Sequence, residues 1–130
     1  MKIGICGFGR VGEAMKQLFP DAYCYDQPLD IGTMEGLNRQ DVVFLCVPTP
    51  VIGENELDTS IVEEVVSWCT CPLIVIRSTV NPGTCDRLQK ITNSLIVYQP
   101  EYIGETVQHP FNDLKTRPFL VIGGLPDARR

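Results

Sequence analysis

A doubly wound, parallel α/β sheet of about six strands, in three α/β/α layers, is the fold this 130-residue sequence predicts. Three observations point to it. Short apolar runs alternate with stretches whose apolar residues recur at helical spacing. The strand-like runs are apolar on both faces, as a sheet covered by helices on each side requires. A glycine-rich turn joins the first such run to the first helical stretch.

Lys2–Cys6 is a short apolar run ending in glycines and reads as a buried strand. Val11, Ala14, Met15, Leu18 and Phe19 follow at helical spacing, and Pro20-Asp21 stops that helix. Ala22–Tyr25 is a second strand ending at Asp26. Gln27–Gln40 holds Pro28, Gly32 and Gly36 and reads as a loop with one helical turn at most. Asp41–Val47 is a third strand, β-branched and apolar throughout. Pro48–Leu57 is a loop, and Asp58 or Thr59 caps a helix with an apolar stripe at Ile61, Val62, Val65, Val66 and Cys69.

Pro72–Arg77 is the fourth strand. Asn81-Pro82 reads as an N-cap followed by an N1 proline, opening a helix to about Thr92. Leu95–Tyr98 is the fifth strand. After a polar stretch with Pro110 and Pro118, Phe119–Ile122 forms a sixth that ends in Gly123-Gly124. The expected strand order is 3-2-1-4-5-6. Residues 1–130 then make one domain, with no repeat or internal linker, and a further helix is expected after Leu125–Arg130.

Composition narrows the partners. With 44% hydrophobic and 21% charged residues the chain is an ordinary globular one, and its net charge of −5 disfavours nucleic acid and anionic membranes. A nucleotide cofactor is compatible with that charge, because backbone amides can hold its phosphates. The longest apolar run, Val42 to Val47, is far too short to span a bilayer. Met1-Lys2 leads straight into the first strand, so no signal peptide is expected and the setting reads as cytoplasmic. The six cysteines include no C-x-x-C pair, and no histidine cluster completes a metal site, so they read as reduced packing thiols. His109, the single histidine, reads as a loop residue.

Gly7-Phe8-Gly9-Arg10-Val11-Gly12 fits G-x-G-x-x-G between the first strand and first helix. Gly7 permits the tight turn, Gly9 lets a pyrophosphate approach the backbone, and Gly12 lets the helix sit close on the strand. The helix then offers free amides to the phosphates, with Arg10 and Val11 in its first turn. Asp26 lies 19 positions after Gly7 at the end of the second strand, where a carboxylate meets the ribose hydroxyls. This is the Rossmann fingerprint. A carboxylate accepts from a 2′-hydroxyl and repels a 2′-phosphate, and Gln27-Pro28 supplies no cation, so NAD is favoured over NADP.

Three further segments follow the predicted strand ends: Cys46-Val47-Pro48-Thr49-Pro50, Arg77-Ser78-Thr79-Val80-Asn81-Pro82-Gly83-Thr84 and Pro100-Glu101-Tyr102-Ile103-Gly104-Glu105. With Val121-Ile122-Gly123-Gly124, their order and spacing resemble the N-terminal NAD-binding domain of the UDP-glucose/GDP-mannose dehydrogenase family, from Ile3 to about Gly124. The resemblance implies that Pro48 and Thr49 line the adenosine side of the dinucleotide. It implies that Ser78 and Thr79 approach the nicotinamide, with Thr79 helping to hold a catalytic water. Glu101 matches a glutamate tied to proton transfer and water activation, and Glu105 one beside the cofactor. Backbone groups of Tyr102 and Ile103 match those that touch a nucleotide-sugar.

The sequence also departs from the family. Gln99 stands where asparagine is usual, Thr106 where glycine is usual, and the stretch from Asp26 to Asp41 is short. The family's central helix, substrate domain, catalytic lysine and asparagine, and cysteine-proline-lysine motif have no counterparts among these residues. The expectation is therefore the cofactor half of a nucleotide-sugar 6-dehydrogenase, which oxidises a sugar C6 alcohol to a carboxylate with NAD. Alone it binds the cofactor without catalysis. Completion would come from a C-terminal half, and a homo-oligomer is open. The alternatives are a stand-alone non-catalytic NAD-binding module, or a fragment of a 6-phosphogluconate or hydroxyisobutyrate-type dehydrogenase. Cys85, near a predicted helix start, is the one thiol to consider as a substitute nucleophile.

Overall fold

The computed structural model describes residues 1–103, 108–109 and 113–129. In chain order the elements are β1 (Ile3–Cys6), α1 (Arg10–Leu18), β2 (Tyr23–Tyr25), α2 (Met34–Asn38), β3 (Val42–Leu45), β4 (Val51–Ile52), β5 (Glu56–Leu57), α3 (Ser60–Trp68), β6 (Leu73–Ile76), α4 (Thr84–Gln89), β7 (Leu95–Tyr98) and β8 (Gly123–Gly124). A 3-10 turn, Pro126–Arg129, follows. Six strands form one mostly parallel sheet with helices on both faces, as the alternation predicts.

The order is β2-β1-β3-β6-β7-β8, which corrects the expected 3-2-1-4-5-6. The strand over 42–45 pairs with β1 through Ile3↔Val42 and with β6 through Val42↔Leu73, so it is central and not outermost. Its unbroken apolar run suits a position sheltered on every side. The edge falls to β2, three residues long and only half-buried along its length. The chain therefore runs outward from β1 to β2 and returns past β1 to β3. The point where its direction reverses lies between the carboxyl ends of β1 and β3, the place where doubly wound sheets bind ligands.

That route puts α2, α3 and α4 on one face. Val62, Val65 and Val66 of α3, Leu37 of α2 and Leu88 of α4 pack there on Val43, Leu45, Ile74, Ile76 and Ile96. Each fully buried side chain of this kind contributes about 1.5–3 kcal/mol. On the opposite face α1 buries Met15 against Ile5, and Phe19 stacks on Phe44 with ring centroids 5.5 Å apart.

Three local expectations are corrected. The helix expected from Asn81-Pro82 begins at Thr84, because Gly83 sits in the left-handed region at φ 83° and makes a turn first. That turn is closed by the Thr84 amide donating to the Asn81 carbonyl at 3.1 Å. The sixth strand is not Phe119–Ile122 but the two glycines after it, which run antiparallel to β7 through Tyr98↔Gly123 and Val97↔Gly124. Among the described residues no helix intervenes between β7 and β8, and an antiparallel return needs no crossover. The loop after β3 also carries a small hairpin, β4 with β5, turning at Gly53 with φ 73°. No helix among the described residues is long and apolar enough to cross a membrane. His109 lies outside regular structure, and the described residues hold no group of three or more metal-ligating side chains.

Candidate functional site

The site begins where β1 ends. Gly7 takes φ 89°, and a side chain there would also meet the Cys46 carbonyl at 2.7 Å, so this position needs glycine twice over. Its amide donates to the Tyr25 carbonyl at 2.9 Å, tying the turn to the end of β2. Gly12, in α1, faces back onto the turn, and a Cβ there would stand 2.0 Å from the Gly7 carbonyl oxygen. Gly9 is the opposite case. A Cβ on it would meet nothing within 4 Å, so open space lies in front of the helix mouth. Gly9 is the N-cap of α1 and has no side chain with which to cap it. An anion is the natural partner for such a helix end.

Asp26 faces this mouth. Its Oδ2 accepts from the Phe8 amide at 2.7 Å and its Oδ1 from the Leu29 amide at 3.0 Å. Backbone bonds between Asp26 and Ile31, 2.9 Å each way, fix the residue as the strand leaves the sheet. Each carboxylate oxygen keeps a second lone pair for a sugar hydroxyl.

Behind the turn lies a cavity of about 120 Å³. Gly7, Asp26 and Pro48 line it with Tyr25, Gln27 and Pro28 from β2 and its loop and Val47 from the end of β3. Ile61, Glu64, Val65 and Trp68 close it from α3. Trp68 meets Tyr25 edge to face at 5.6 Å. The cavity joins three of the residues singled out by sequence. The α3 wall was missed: Ile61 and Val65 looked like part of one core stripe, yet Ile61 is 39% exposed and turns to the cavity.

The loops after β3 and β6 are tied together. The Thr49 hydroxyl donates to the Thr79 carbonyl at 2.6 Å, and the buried Ser78 hydroxyl donates to the Val47 carbonyl at 2.7 Å. Ser78 thus spends its hydroxyl on the loop, whereas Thr79 is exposed.

Glu101, after β7, is enclosed by cations. Its Oε2 pairs with Arg77, its Oε1 accepts from Arg117 at 3.0 Å, and all three side chains are at most 8% exposed. The same Oε1 takes the Tyr102 and Ile103 amides at 2.6 Å each. Of the backbone groups that the resemblance would turn to a nucleotide-sugar, the two amides are therefore engaged by Glu101. Arg77 also donates to Gln99, the residue that replaces the family's usual asparagine. Burial lowers the Arg77 guanidinium to about 10, and Arg117 pushes the same way while Cys46 opposes. Glu101 against its Nη2 also favours the cation, which persists at neutral pH. Arg117 stands over the Tyr102 ring at 5.6 Å, and Tyr102 meets Phe119 edge to face at 5.1 Å. Nothing in the spacing of the two arginines marks them as partners of Glu101. Glu105 lies outside the described residues.

The thiols of Cys6, Cys46 and Cys85 are not poised as nucleophiles. Burial raises Cys6, it raises Cys46 to about 12 against Arg77, and burial with Asp86 raises Cys85.

A bent glycine turn, an uncapped helix mouth and an acid facing both define a dinucleotide-binding domain of the dehydrogenase type. The model of the "UDP-glucose/GDP-mannose dehydrogenase family, NAD binding domain" matches residues 22–129, and the chain belongs to that family. NAD is the cofactor of this domain. The open space before Gly9, the orientation of Asp26 and the cavity behind them all fit that group.

Solved structures agree in fold. A ternary complex of GDP-mannose dehydrogenase from Pseudomonas aeruginosa is 21% identical with a TM-score of 0.78, over 96% of this chain and 41% of the other. A UDP-glucose dehydrogenase from Pyrobaculum islandicum gives 18% and 0.75, over 97% and 41%. A UDP-D-ManNAc dehydrogenase from Pyrococcus horikoshii gives 16% and 0.73, over 98% and 42%. The chain thus spans about two-fifths of the length of each. No curated protein matches it.

Proposed function

We propose that this chain is the cofactor half of a nucleotide-sugar 6-dehydrogenase, with the sugar site and the covalent thiol on a complementing domain. The observation that carries the reading is the Asp26 carboxylate, held on the Phe8 amide beside the open mouth of α1. In this reading Gly7, Gly9 and the first turn of α1 (Arg10, Val11, Gly12) hold the diphosphate. Asp26 takes the adenosine ribose diol, and Pro48 and Thr49 bound the adenosine side. NAD would supply the hydride acceptor, one molecule for each of the two successive oxidations from C6 alcohol to carboxylate.

Thr79 and Glu101 are proposed to handle water at the nicotinamide end. Glu101 is held as an anion by Arg77 and Arg117, so taking up a proton requires it to exchange one of those contacts for water. Turning the carbonyl groups of Tyr102 and Ile103 toward the sugar is compatible with their amides being engaged. The covalent step needs a thiolate, and the raised Cys85 does not supply one at neutral pH. Alone, the chain binds NAD and does not turn over.

Calorimetric titration with NAD and NADP, on the wild type and Asp26→Ala, tests this reading, with circular dichroism to verify folding. NAD binds, the substitution weakens it by about tenfold or more, and NADP gives no measurable heat. Equal affinity for the two dinucleotides would refute the role of Asp26. Steady NADH production from UDP-glucose or GDP-mannose by the pure chain would refute the division of labour.

A further inference from the structure

Ile61, Glu64, Val65 and Trp68 fall at i, i+3, i+4 and i+7 of α3, a single helical face, and that face walls the cavity beside the glycine turn. Three of the four are apolar. Glu64 is the exception. Its neighbour Glu63 is engaged through one oxygen, Oε1, which accepts from Thr59 and from Arg87 at 2.8 Å each. Among the described residues, no hydrogen bond or ion pair is made by the Glu64 carboxylate, and no Lys, Arg or His lines the cavity. A carboxylate without a side-chain partner on an otherwise apolar helix face that lines a cavity favours a ligand that brings a hydrogen-bond donor.

The other carboxylate of the cavity, Asp26, stands on the turn side and suits a sugar diol. Val47, Pro48 and the α3 face, Glu64 included, line the rest of the slot, the space open to a flat group attached to that sugar. Adenine presents an amine donor where hypoxanthine presents a carbonyl acceptor, and hypoxanthine besides carries a proton on the neighbouring N1. On the reading that this cavity takes the adenosine end of NAD, we infer that Glu64 selects the base by accepting from the exocyclic amine of adenine. A base with a carbonyl in that place brings oxygen against oxygen, its one ring donor, N1–H, lying a position away. The inference gives α3 a role in specificity that its apolar stripe alone does not require.

Trp68, the single tryptophan of the chain, lines the same cavity and reports its occupancy by fluorescence. The test compares NAD with nicotinamide hypoxanthine dinucleotide by calorimetry and by Trp68 fluorescence, on the wild type, Glu64→Gln and Glu63→Gln. Wild type prefers NAD by about tenfold, the scale of one hydrogen bond to a charged group at a partly exposed site. In Glu64→Gln the gap closes to about twofold, because an amide accepts from adenine or donates to hypoxanthine as required. Glu63→Gln keeps the wild-type gap. Equal wild-type affinity for the two dinucleotides, or a gap that survives Glu64→Gln, overturns the inference and leaves the cofactor reading standing. If neither dinucleotide binds the folded protein or changes Trp68 emission, the cofactor reading fails and the inference with it.

Discussion

Replacing Gly9 and Gly12 separately by alanine should divide cofactor binding from folding. At Gly12 an ideal Cβ stands 2.0 Å from the Gly7 carbonyl oxygen, and both partners are backbone. Contacts under 3.0 Å do not occur, so α1 must retreat from the turn by about 1 Å. Overpacking of backbone on backbone lies at the upper end of the usual range, about 2–3 kcal/mol. Alanine returns up to about 1 kcal/mol through its better helix propensity. The net loss is about 1–2 kcal/mol, or roughly 4–8 °C in melting temperature for a domain of this size.

Gly9 has φ −85°, which alanine adopts freely, and nothing within 4 Å of the new methyl. The weaker N-cap and the stiffer unfolded chain nearly cancel, leaving a change within about 0.5 kcal/mol. The methyl nevertheless stands in the space before the helix mouth. It keeps a diphosphate from the amides, and charge-assisted bonds of about 1.5–3 kcal/mol each are lost. Scanning calorimetry and NAD titration on both variants read the two effects. Gly9→Ala should melt as the wild type does yet bind NAD at least about tenfold more weakly. A Gly9→Ala protein with wild-type NAD affinity would refute the assignment of that space, and a Gly12→Ala protein with wild-type melting would refute the packing argument.

Other outcomes follow from the same structure. Glu101→Gln leaves Arg77 and Arg117 buried together without their carboxylate, and should cost about 3–5 kcal/mol of stability. An unchanged urea midpoint would show that the cluster is solvated. Burial raises the Cys6 and Cys46 thiols above their ordinary 9.0, Cys46 to about 12. The stability this contributes is fully present below pH 9.0 and is lost as pH rises through about 12. Cys46→Ala should therefore flatten the alkaline limb of a stability profile, and a thiol reagent at pH 8 should label Cys46 only after denaturant is added. Glu63 runs the other way. Hydrogen bonds from Arg87 and Thr59 hold its carboxyl below the usual 4.5, so its contribution is present above that pH and disappears in acid. Arg87→Met should raise its titration midpoint by NMR.

Much of this was legible in the residues because single positions carried it. Gly7 and Gly12 answer to steric reasons that the folded chain shows, and Gly9 leaves open space at the start of α1. Five strands and three helices appear close to where apolar periodicity puts them, since burial enforces that periodicity directly. Strand order was not legible. Periodicity reports which face of a strand is buried, not which strand lies beside it, so the central place of Val42–Leu45 emerged only from pairing.

The boundary errors have local causes. Gly83 takes a left-handed turn that the Asn81-Pro82 pattern does not reveal, and Phe119–Ile122 is an apolar run that never joins the sheet. The Glu101 cluster was hidden for a different reason. Its arginines lie 24 residues before and 16 residues after it, too far apart for spacing to speak. Glu64 was hidden by its surroundings, because a stripe of valines looks like core whether or not one edge of it faces a cavity.

Backbone amide shifts in a nitrogen-labelled sample titrated with NAD address the central claim most directly. The claim predicts the largest changes at Phe8 through Gly12, at Asp26 and at the Trp68 indole, saturating together with one affinity. Changes confined to the groove between α4 and β8, with the Gly9 and Gly12 amides unmoved, would contradict it.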